Sequence, residues 1–316
     1  MGNILDSRKY DIITFGDMCI DLIVRGDDVT PEFGQIEKLV GDYEVEMGGS
    51  CCIFACQAAK LGLKVGILGR VGKDSFGGLV VSRLKESGVD TQHIIVDDGL
   101  KTGLGIALCK GNDRAILTYL GSLNAIESSD VSDDFLQSSR HLHHGSYYLH
   151  TRLRPAIPMI FSRAKQLGLT ISLDTNWDPE EKWDDGLDEI LPYTDLFLPN
   201  EQEAIRISRK GDVEEAIVEL HNQGIKIIAI KRGIEGALAS NGHVKIDQPV
   251  KVVTGGDSIG AGDSFDAGFL SGWLGGLELD DCLRIANYCG QSVAAQVGGL
   301  RGQPTGSLIR QLENLK

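Results

Sequence analysis

Short apolar, β-branched runs alternate along the chain with longer segments whose apolar positions recur at helical spacing. The runs at 12–15, 65–68, 169–174, 196–198 and 225–230 read as strands. The segments at 51–61, 76–87, 156–167, 213–222, 262–274 and 280–296 read as helices. Strand–helix–strand alternation over most of the length predicts an α/β protein with a mostly parallel sheet covered by helices. Two stretches break the rhythm, 22–47 and 103–121. Both are turn-rich with apolar residues at every second position, such as Leu104, Ile106 and Leu108, and read as a small β-structure inserted at one edge of the α/β body. No repeat, low-complexity tract or linker interrupts residues 1–316, so one main domain with an insertion is expected.

Charge narrows the partners. The 316 residues carry 31 Lys+Arg against 45 Asp+Glu, a formal net charge of −14. The chain therefore lacks the positive field that nucleic acid or an anionic membrane surface selects. No apolar run approaches the roughly 18 residues of a membrane-spanning helix, and the opening residues carry no apolar signal core. The seven cysteines are odd in number and form no C-x-x-C pair. They fit buried thiols in a reducing compartment better than a disulfide framework or a zinc site, so a cytoplasmic protein is expected. Glycine is the compositional outlier, with 40 residues, about twice ordinary usage. Tight turns and points of close backbone approach to a ligand follow from that surplus.

The most informative stretch runs from Thr254 to Phe269. It leaves a β-type segment, passes through Gly260-Ala261-Gly262 and enters a helix at Asp263. Small residues at a helix N-terminus let consecutive N–H groups point into one space, which makes an anion site from backbone dipoles. An acidic residue at its mouth would repel an anion unless it serves as a general base. Asp263 is then placed to take a proton from a hydroxyl as that oxygen attacks phosphorus. The bland alternative is a helix cap beside a glycine turn.

This stretch resembles the D-T-x-G-A-G-D signature of the ribokinase-like (PfkB) carbohydrate kinases, and the resemblance runs along nearly the whole chain. Gly16-Asp17-Met18-Cys19-Ile20-Asp21 follows the first strand as the family's substrate element does. Gly48-Gly49-Ser50 resembles its glycine-pair helix start, and Val71-Gly72-Lys73-Asp74 its V-G-x-D element. Asn200-Glu201-Gln202-Glu203 is similar to N-x-x-E, and Lys231-Arg232-Gly233-Ile234-Glu235-Gly236 to the nucleotide-side turn.

The resemblance implies a three-layer α/β/α fold with a β-lid, using ATP and Mg²⁺ to phosphorylate a small sugar. Asp21, Gly48, Gly49 and Ser50 would meet the sugar. Asn176, Asn200, Glu203, Lys231, Gly233 and Gly236 would meet the nucleotide. Glu203 would hold Mg²⁺ through water, and Asp257 would help bind a monovalent cation such as K⁺. A homodimer through the lid is a further implication. The helix-start alternative for Asn200 and Glu203, and the hairpin alternative for Gly233 and Gly236, stay open on the residues alone.

Two departures bear on the acceptor. Ile53 stands where the family's glycine-pair helix usually carries an Asn that touches sugar, so that contact is missing or supplied from elsewhere. Asp178 stands where an Arg often follows D-x-N, which disfavours an acidic or phosphorylated sugar. A small neutral sugar is expected, with a nucleoside kinase or a catalytically silent sugar- or nucleotide-binding protein as alternatives. The anionic nucleotide would be met by Mg²⁺, backbone N–H groups and the local charge of Lys231 or Arg232. His141, His143 and His144 alternate like a strand and suit packing or hydrogen bonding better than a metal, with a substrate contact open for His144. Trp177, Trp183 and Trp273 are read as core.

Overall fold

A computed structural model describes residues 8–110, 113–253, 256 and 258–307. In chain order the N-terminal half runs β1 (Ile12–Phe15), β2 (Cys19–Arg25), β3 (Asp42–Gly48), α1 (Ser50–Lys60), β4 (Val65–Gly72), α2 (Ser75–Glu86), β5 (Asp90–Asp97), β6 (Gly103–Lys110), β7 (Asp113–Tyr119), α3 (Asp133–Gln137) and β8 (His141–His144). There follow α4 (Ile157–Gln166), β9 (Thr170–Leu173), α5 (Leu187–Ile190), β10 (Leu196–Phe197), α6 (Glu201–Ser208), α7 (Val213–Asn222), β11 (Ile227–Lys231), β12 (Ala237–Ser240), β13 (Lys245–Gln248), α8 (Ala261–Leu274) and α9 (Leu279–Ala294).

The large sheet has the order β13-β12-β11-β10-β9-β8-β1-β4-β5. It is parallel from β11 to β5, and β12 and β13 add antiparallel at one edge. The apolar runs are continuous because both faces are covered. Ile12, Leu196, Leu198 and Ala229 point into one core, while Ile13, Phe15, Phe197, Ile228 and Ile230 point into the other. Period-2 alternation between two dry cores is what a helix–sheet–helix sandwich demands. The longest helices, α8 and α9, press together through small residues: a Cβ added at Gly268 would stand 2.9 Å from the Ala286 Cα, and one at Gly272 would stand 3.1 Å from the Cys282 sulfur. Part of the glycine surplus is therefore close helix packing.

The two irregular stretches form a separate four-stranded sheet of order β3-β2-β6-β7. Asp21 lies within β2, where it pairs with Glu46 of β3 and Gly105 of β6. The tight stretch 26–41 between β2 and β3 is not a strand.

The histidines of β8 are structural. His141 shares hydrogen bonds with Thr170 and Ser172, His143 with Ser172, and the His143 ring stacks on Phe54 at 3.8 Å. Burial pushes both rings below the usual histidine range, His141 to about 3, so they stay neutral. His144 is fully buried, with its ring 4.8 Å from Phe15 and 5.2 Å from His150. Trp183 is core as expected. Trp177 is not: it is 44% exposed and meets Trp183 edge-on, because the loop after Asn176 gives the single buried slot to Trp183.

Candidate active site

The carboxyl ends of β1, β9, β10 and β11 converge on one edge of the sheet, where open α/β sheets bind ligands. The N-termini of α1 and α8 point into the same edge. Two aspartates after β1 organise it. Asp17 is buried and its carboxylate accepts from the Ser50 N–H at 2.8 Å, the Cys51 N–H at 3.2 Å and the Ser146 hydroxyl at 3.0 Å. It thereby satisfies the start of α1, whose Gly49 N-cap has no side chain to do so.

Asp21 stands in a slot cut by two glycines. A Cβ at Gly48 or at Gly105 would come within 2.6 Å of the Asp21 carboxylate. Gly48 thus makes room for the Asp21 carboxylate, and Gly49 for the Asp17 backbone, whose carbonyl oxygen would stand 2.6 Å from an added Cβ. Ser50 joins this cluster through Asn176, whose side-chain amide donates to Ser50 Oγ at 2.8 Å and Ser146 Oγ at 2.9 Å. Asn176 was expected on the nucleotide side. Its amide is engaged with Ser50 and Ser146, on a left-handed backbone of φ 56°.

The first turn of α8 faces this cluster from across the cleft. Gly260 is its N-cap with φ 71°, and no side chain caps it. A Cβ at Gly260 would stand 2.7 Å from the Gly299 Cα and 2.9 Å from Ile53, so this turn tolerates only glycine. Ile53 is 3% exposed and packs beneath Gly260 and Gly299. It is the floor of the turn and offers no surface to a ligand. Asp263 is half-buried in the first helical turn. Burial pushes its carboxyl up to about 7, with Asp174 and Asp17 adding to the rise and a Ser50 hydrogen bond and Lys231 opposing it.

On the other side of the α8 N-terminus lies a cavity of about 740 Å³. Ala261 and Gly262 line it, as do Gly233 and Gly236 beyond β11, with apolar walls from Ile234, Val252 and Phe265. Gly236 is held at φ 92° with its Cα against the Gln248 carbonyl, a close approach that no side chain fits. Arg114 reaches the cavity from the small sheet and donates to Ser258 Oγ at 2.9 Å, and Lys251 also lines it.

Lys231 and Arg232 do not supply the loose positive charge expected of them. Arg232 is tied to Asp247 and Glu235 and does not line the cavity. Lys231 does line the cavity, but its ammonium is 2.8 Å from Asp174 Oδ2 and 3.2 Å from Asp266 Oδ1, so it already faces two carboxyl groups.

Asn200 and Glu203 form a capping box at the start of α6. The Asn200 side chain accepts from the Glu203 N–H at 2.9 Å, and Glu203 Oε2 accepts from the Asn200 N–H at 2.8 Å. Glu203 is 4% exposed, and burial followed by the Asp174 charge pushes it up to about 7. Among the described residues no group of three or more His, Cys, Asp or Glu could hold a metal ion by itself. Asp257 lies outside the described residues, though Gly256 packs against the Ala294 and Gln296 carbonyls. Asp178 does not face the site. Its carboxylate accepts from the N–H groups of Glu180, Lys182 and Trp183 and closes its own loop, so its charge says little about the acceptor.

Asp17, Ser146, Gly105, Arg114 and Asp266 were not singled out from the sequence. Asp266 had a readable signal: it sits three residues after Asp263 on the buried stripe of an otherwise apolar helix. Ser146 and Arg114 had none, because only long-range packing brings them here.

Residues 9–306 match the pfkB family carbohydrate kinase description. The chain is 28% identical to an Arabidopsis thaliana protein named "Probable fructokinase-5", over 96% of this chain and 98% of that one. It is 27% identical to a 5-dehydro-2-deoxygluconokinase of Bacillus subtilis (strain 168), over 97% of each. Among solved structures, a "putative Ribokinase II in complex with ATP and Mg+2 from E.coli" superposes with a TM-score of 0.85 at 25% identity, covering 97% of this chain and 99% of that one. The chain belongs to the pfkB family of carbohydrate kinases. It is a sugar kinase of ribokinase-like fold.

Proposed function

We propose that the chain transfers the γ-phosphoryl group of ATP to a hydroxyl of a small neutral sugar, with Asp263 as general base. One observation carries the reading: Asp263 sits in the first turn of a helix whose uncapped N-terminus opens on the cavity, with its carboxyl held at about 7. A carboxyl near neutrality can accept a hydroxyl proton at working pH. The N–H groups of Ala261, Gly262 and Asp263 stabilise charge on the transferred group, and Asp21 orients the acceptor through its hydroxyls. Asn176 holds Ser50 and Ser146, whose hydroxyls would meet the acceptor in place of the amide that Ile53 lacks.

ATP takes the cavity between Gly233, Gly236 and the α8 turn. Asn200 and Glu203 would hold Mg²⁺ through water, since the Glu203 carboxyl is engaged in its cap, and the ion would supply charge that screens the phosphates. A monovalent cation is proposed beside the turn, near Asp257. The preference for a neutral acceptor rests on the carboxylates Asp17, Asp21, Asp174 and Asp263 and the neutral groups Ser50, Ser146 and Asn176 around the cleft. The small sheet acts as a lid that keeps water from the phosphates. Phe33, Leu39, Tyr43, Leu117 and Tyr119 are exposed on it, and a second copy's lid is the proposed cover, read out by sedimentation velocity.

The test is Asp263→Asn, with ADP release measured on D-fructose, D-ribose, 5-dehydro-2-deoxygluconate and adenosine. Turnover should fall by about 10² to 10⁴ while ATP and sugar dissociation constants hold. Turnover near wild type sinks the base assignment. A wild-type preference for the acid or for adenosine sinks the neutral-sugar assignment, and no ADP with any acceptor points to a silent binder.

A further inference from the structure

Lys231 ends β11, Asp174 follows β9 directly, and Asp266 lies in the second turn of α8. All three side chains are buried or nearly so, with 13%, 5% and 1% of their side-chain surface exposed. The ammonium lies 2.8 Å from Asp174 Oδ2, 3.2 Å from Asp266 Oδ1 and 3.3 Å from Asp266 Oδ2. One cation therefore joins three elements that are far apart in sequence. Its stem passes under Gly262, where an added Cβ would stand 3.7 Å from Lys231 Nζ. The same Asp174 accepts from the Asn176 N–H at 3.4 Å, and the Asn176 side chain holds Ser50 and Ser146.

The N-terminus of α8 has no side-chain cap of its own. A helix start left open for a ligand must be held in register by something other than a cap. The packing of α8 on α9 through Gly268 and Gly272 fixes its later turns. Ahead of those turns stand the Gln303 amide on Ser264 at 3.3 Å and the Lys231 ammonium on Asp266.

We infer that Lys231 is a positioning residue and not a phosphate ligand: held by Asp174 and Asp266, it ties the loop carrying Asn176 to the helix turn carrying Asp263. The inference rests on the proposed kinase reading, in which Asp263 must stay aligned with the acceptor cluster around Ser50. Removing Lys231 leaves Asp174 and Asp266 buried together without their cation, whereas removing Asp266 as well leaves Asp174 alone, so the two losses overlap. The two roles for Lys231 therefore predict different behaviour.

The experiment compares Lys231→Met, Asp266→Ala and the double variant K231M/D266M with wild type. ATP affinity is measured by calorimetry in magnesium buffer without sugar, and turnover as ADP release on the best acceptor of the panel. Lys231→Met is expected to bind ATP within about twofold of wild type while turnover falls about tenfold or more. Asp266→Ala, which leaves the Asp174–Lys231 pair intact, should lose turnover by about threefold to tenfold with unchanged ATP affinity. The double variant should lose less turnover than the two single effects multiplied.

A phosphate-ligand role gives the opposite pattern: ATP binding about tenfold weaker in Lys231→Met and tighter in Asp266→Ala, where a competing carboxylate is gone. That result overturns the inference, as does a double variant whose losses simply multiply. If Lys231→Met does not fold, the Asp266→Ala affinity still decides: unchanged supports the inference and tighter overturns it. Failure of the base assignment shows separately, as near-wild-type turnover in Asp263→Asn, and leaves the ATP-affinity outcomes readable.

Discussion

Helices α1 and α8 start with the same local device and are used in opposite ways. Each begins at a glycine N-cap with positive φ, 92° at Gly49 and 71° at Gly260, and neither has a side-chain cap within its own segment. Each is followed by small residues, Ser50-Cys51-Cys52 and Ala261-Gly262. At α1 the exposed N–H groups are already filled, because Asp17 reaches across from the end of β1 and accepts from Ser50 and Cys51. At α8 no carboxylate among the described residues fills that place, and the helix start opens on the 740 Å³ cavity. A helix N-terminus carries partial positive charge wherever it lies. Whether that charge holds the fold together or waits for an anion depends on whether a residue from elsewhere in the chain has claimed it.

Substitutions at the two helix starts should separate these uses. The largest effect is expected at the open one. Gly260→Ala forces a side chain into the left-handed region against Gly299 and Ile53, displacing the backbone donors of the proposed anion hole. ADP release should fall by about 10² or more, with a stability loss of about 1–3 kcal/mol by urea unfolding. Activity near wild type would mean that the turn does not contact the transferred group.

Asp17→Ala breaks the filled end. Three donors lose their acceptor, and unfolding free energy should drop by roughly 2–3 kcal/mol. Its acceptor KM should rise more than its ATP KM, since Asp17 sits with Ser50, Ser146 and Asn176. A larger rise for ATP would reverse the division between the two helix starts.

The third effect is on pH. The Asp263 carboxyl is raised in the folded protein to about 7 from an ordinary carboxylate value, so the native state binds more protons between roughly pH 4 and 7. Its contribution to stability is therefore greatest below the unfolded pKa and is lost as pH rises through 7. Turnover should move the other way, climbing on an acid limb near 7 as the base ionises. Asp263→Asn should make this part of the stability profile shallower, leaving the share of Glu203, and an unchanged profile would remove Asp263 as a source.

The smallest effect is expected at Arg232. Held by Asp247 at a partly exposed site, it should leave ATP KM within about twofold when changed to Ala, with less than about 1 kcal/mol lost. A large KM change would restore it as a nucleotide contact.

Much of the scaffold was legible in the linear pattern. The segment at 12–15 matches β1 to the residue, and 213–222 matches α7, because both are strongly periodic and bounded by turn or capping residues. The antiparallel edge strands β12 and β13 were not legible. Their four-residue runs, Ala-Leu-Ala-Ser and Lys-Ile-Asp-Gln, have too little pattern of their own and form by pairing. At the site, the glycine-rich run around Gly260 and the aspartate after it stood out because a ligand-facing helix start needs those residue types in immediate succession.

The sequence by itself determined which residues could serve: small residues at 260–262, a carboxylate at 263, and apolar runs for a doubly covered sheet. These are short-range requirements of backbone geometry and burial, and they are written in neighbouring positions. The tertiary structure alone decided which charges are spent. Lys231 looked available in the chain, yet the register of β9 beside β10, of β10 beside β11, and the packing of α8 bring Asp174 and Asp266 onto it. Ile53 looked like a lost sugar contact, yet it is the floor beneath Gly260. Such meetings join positions tens to hundreds of residues apart, so no local pattern encodes them, and in a buried site they fix which groups keep a charge to offer a ligand.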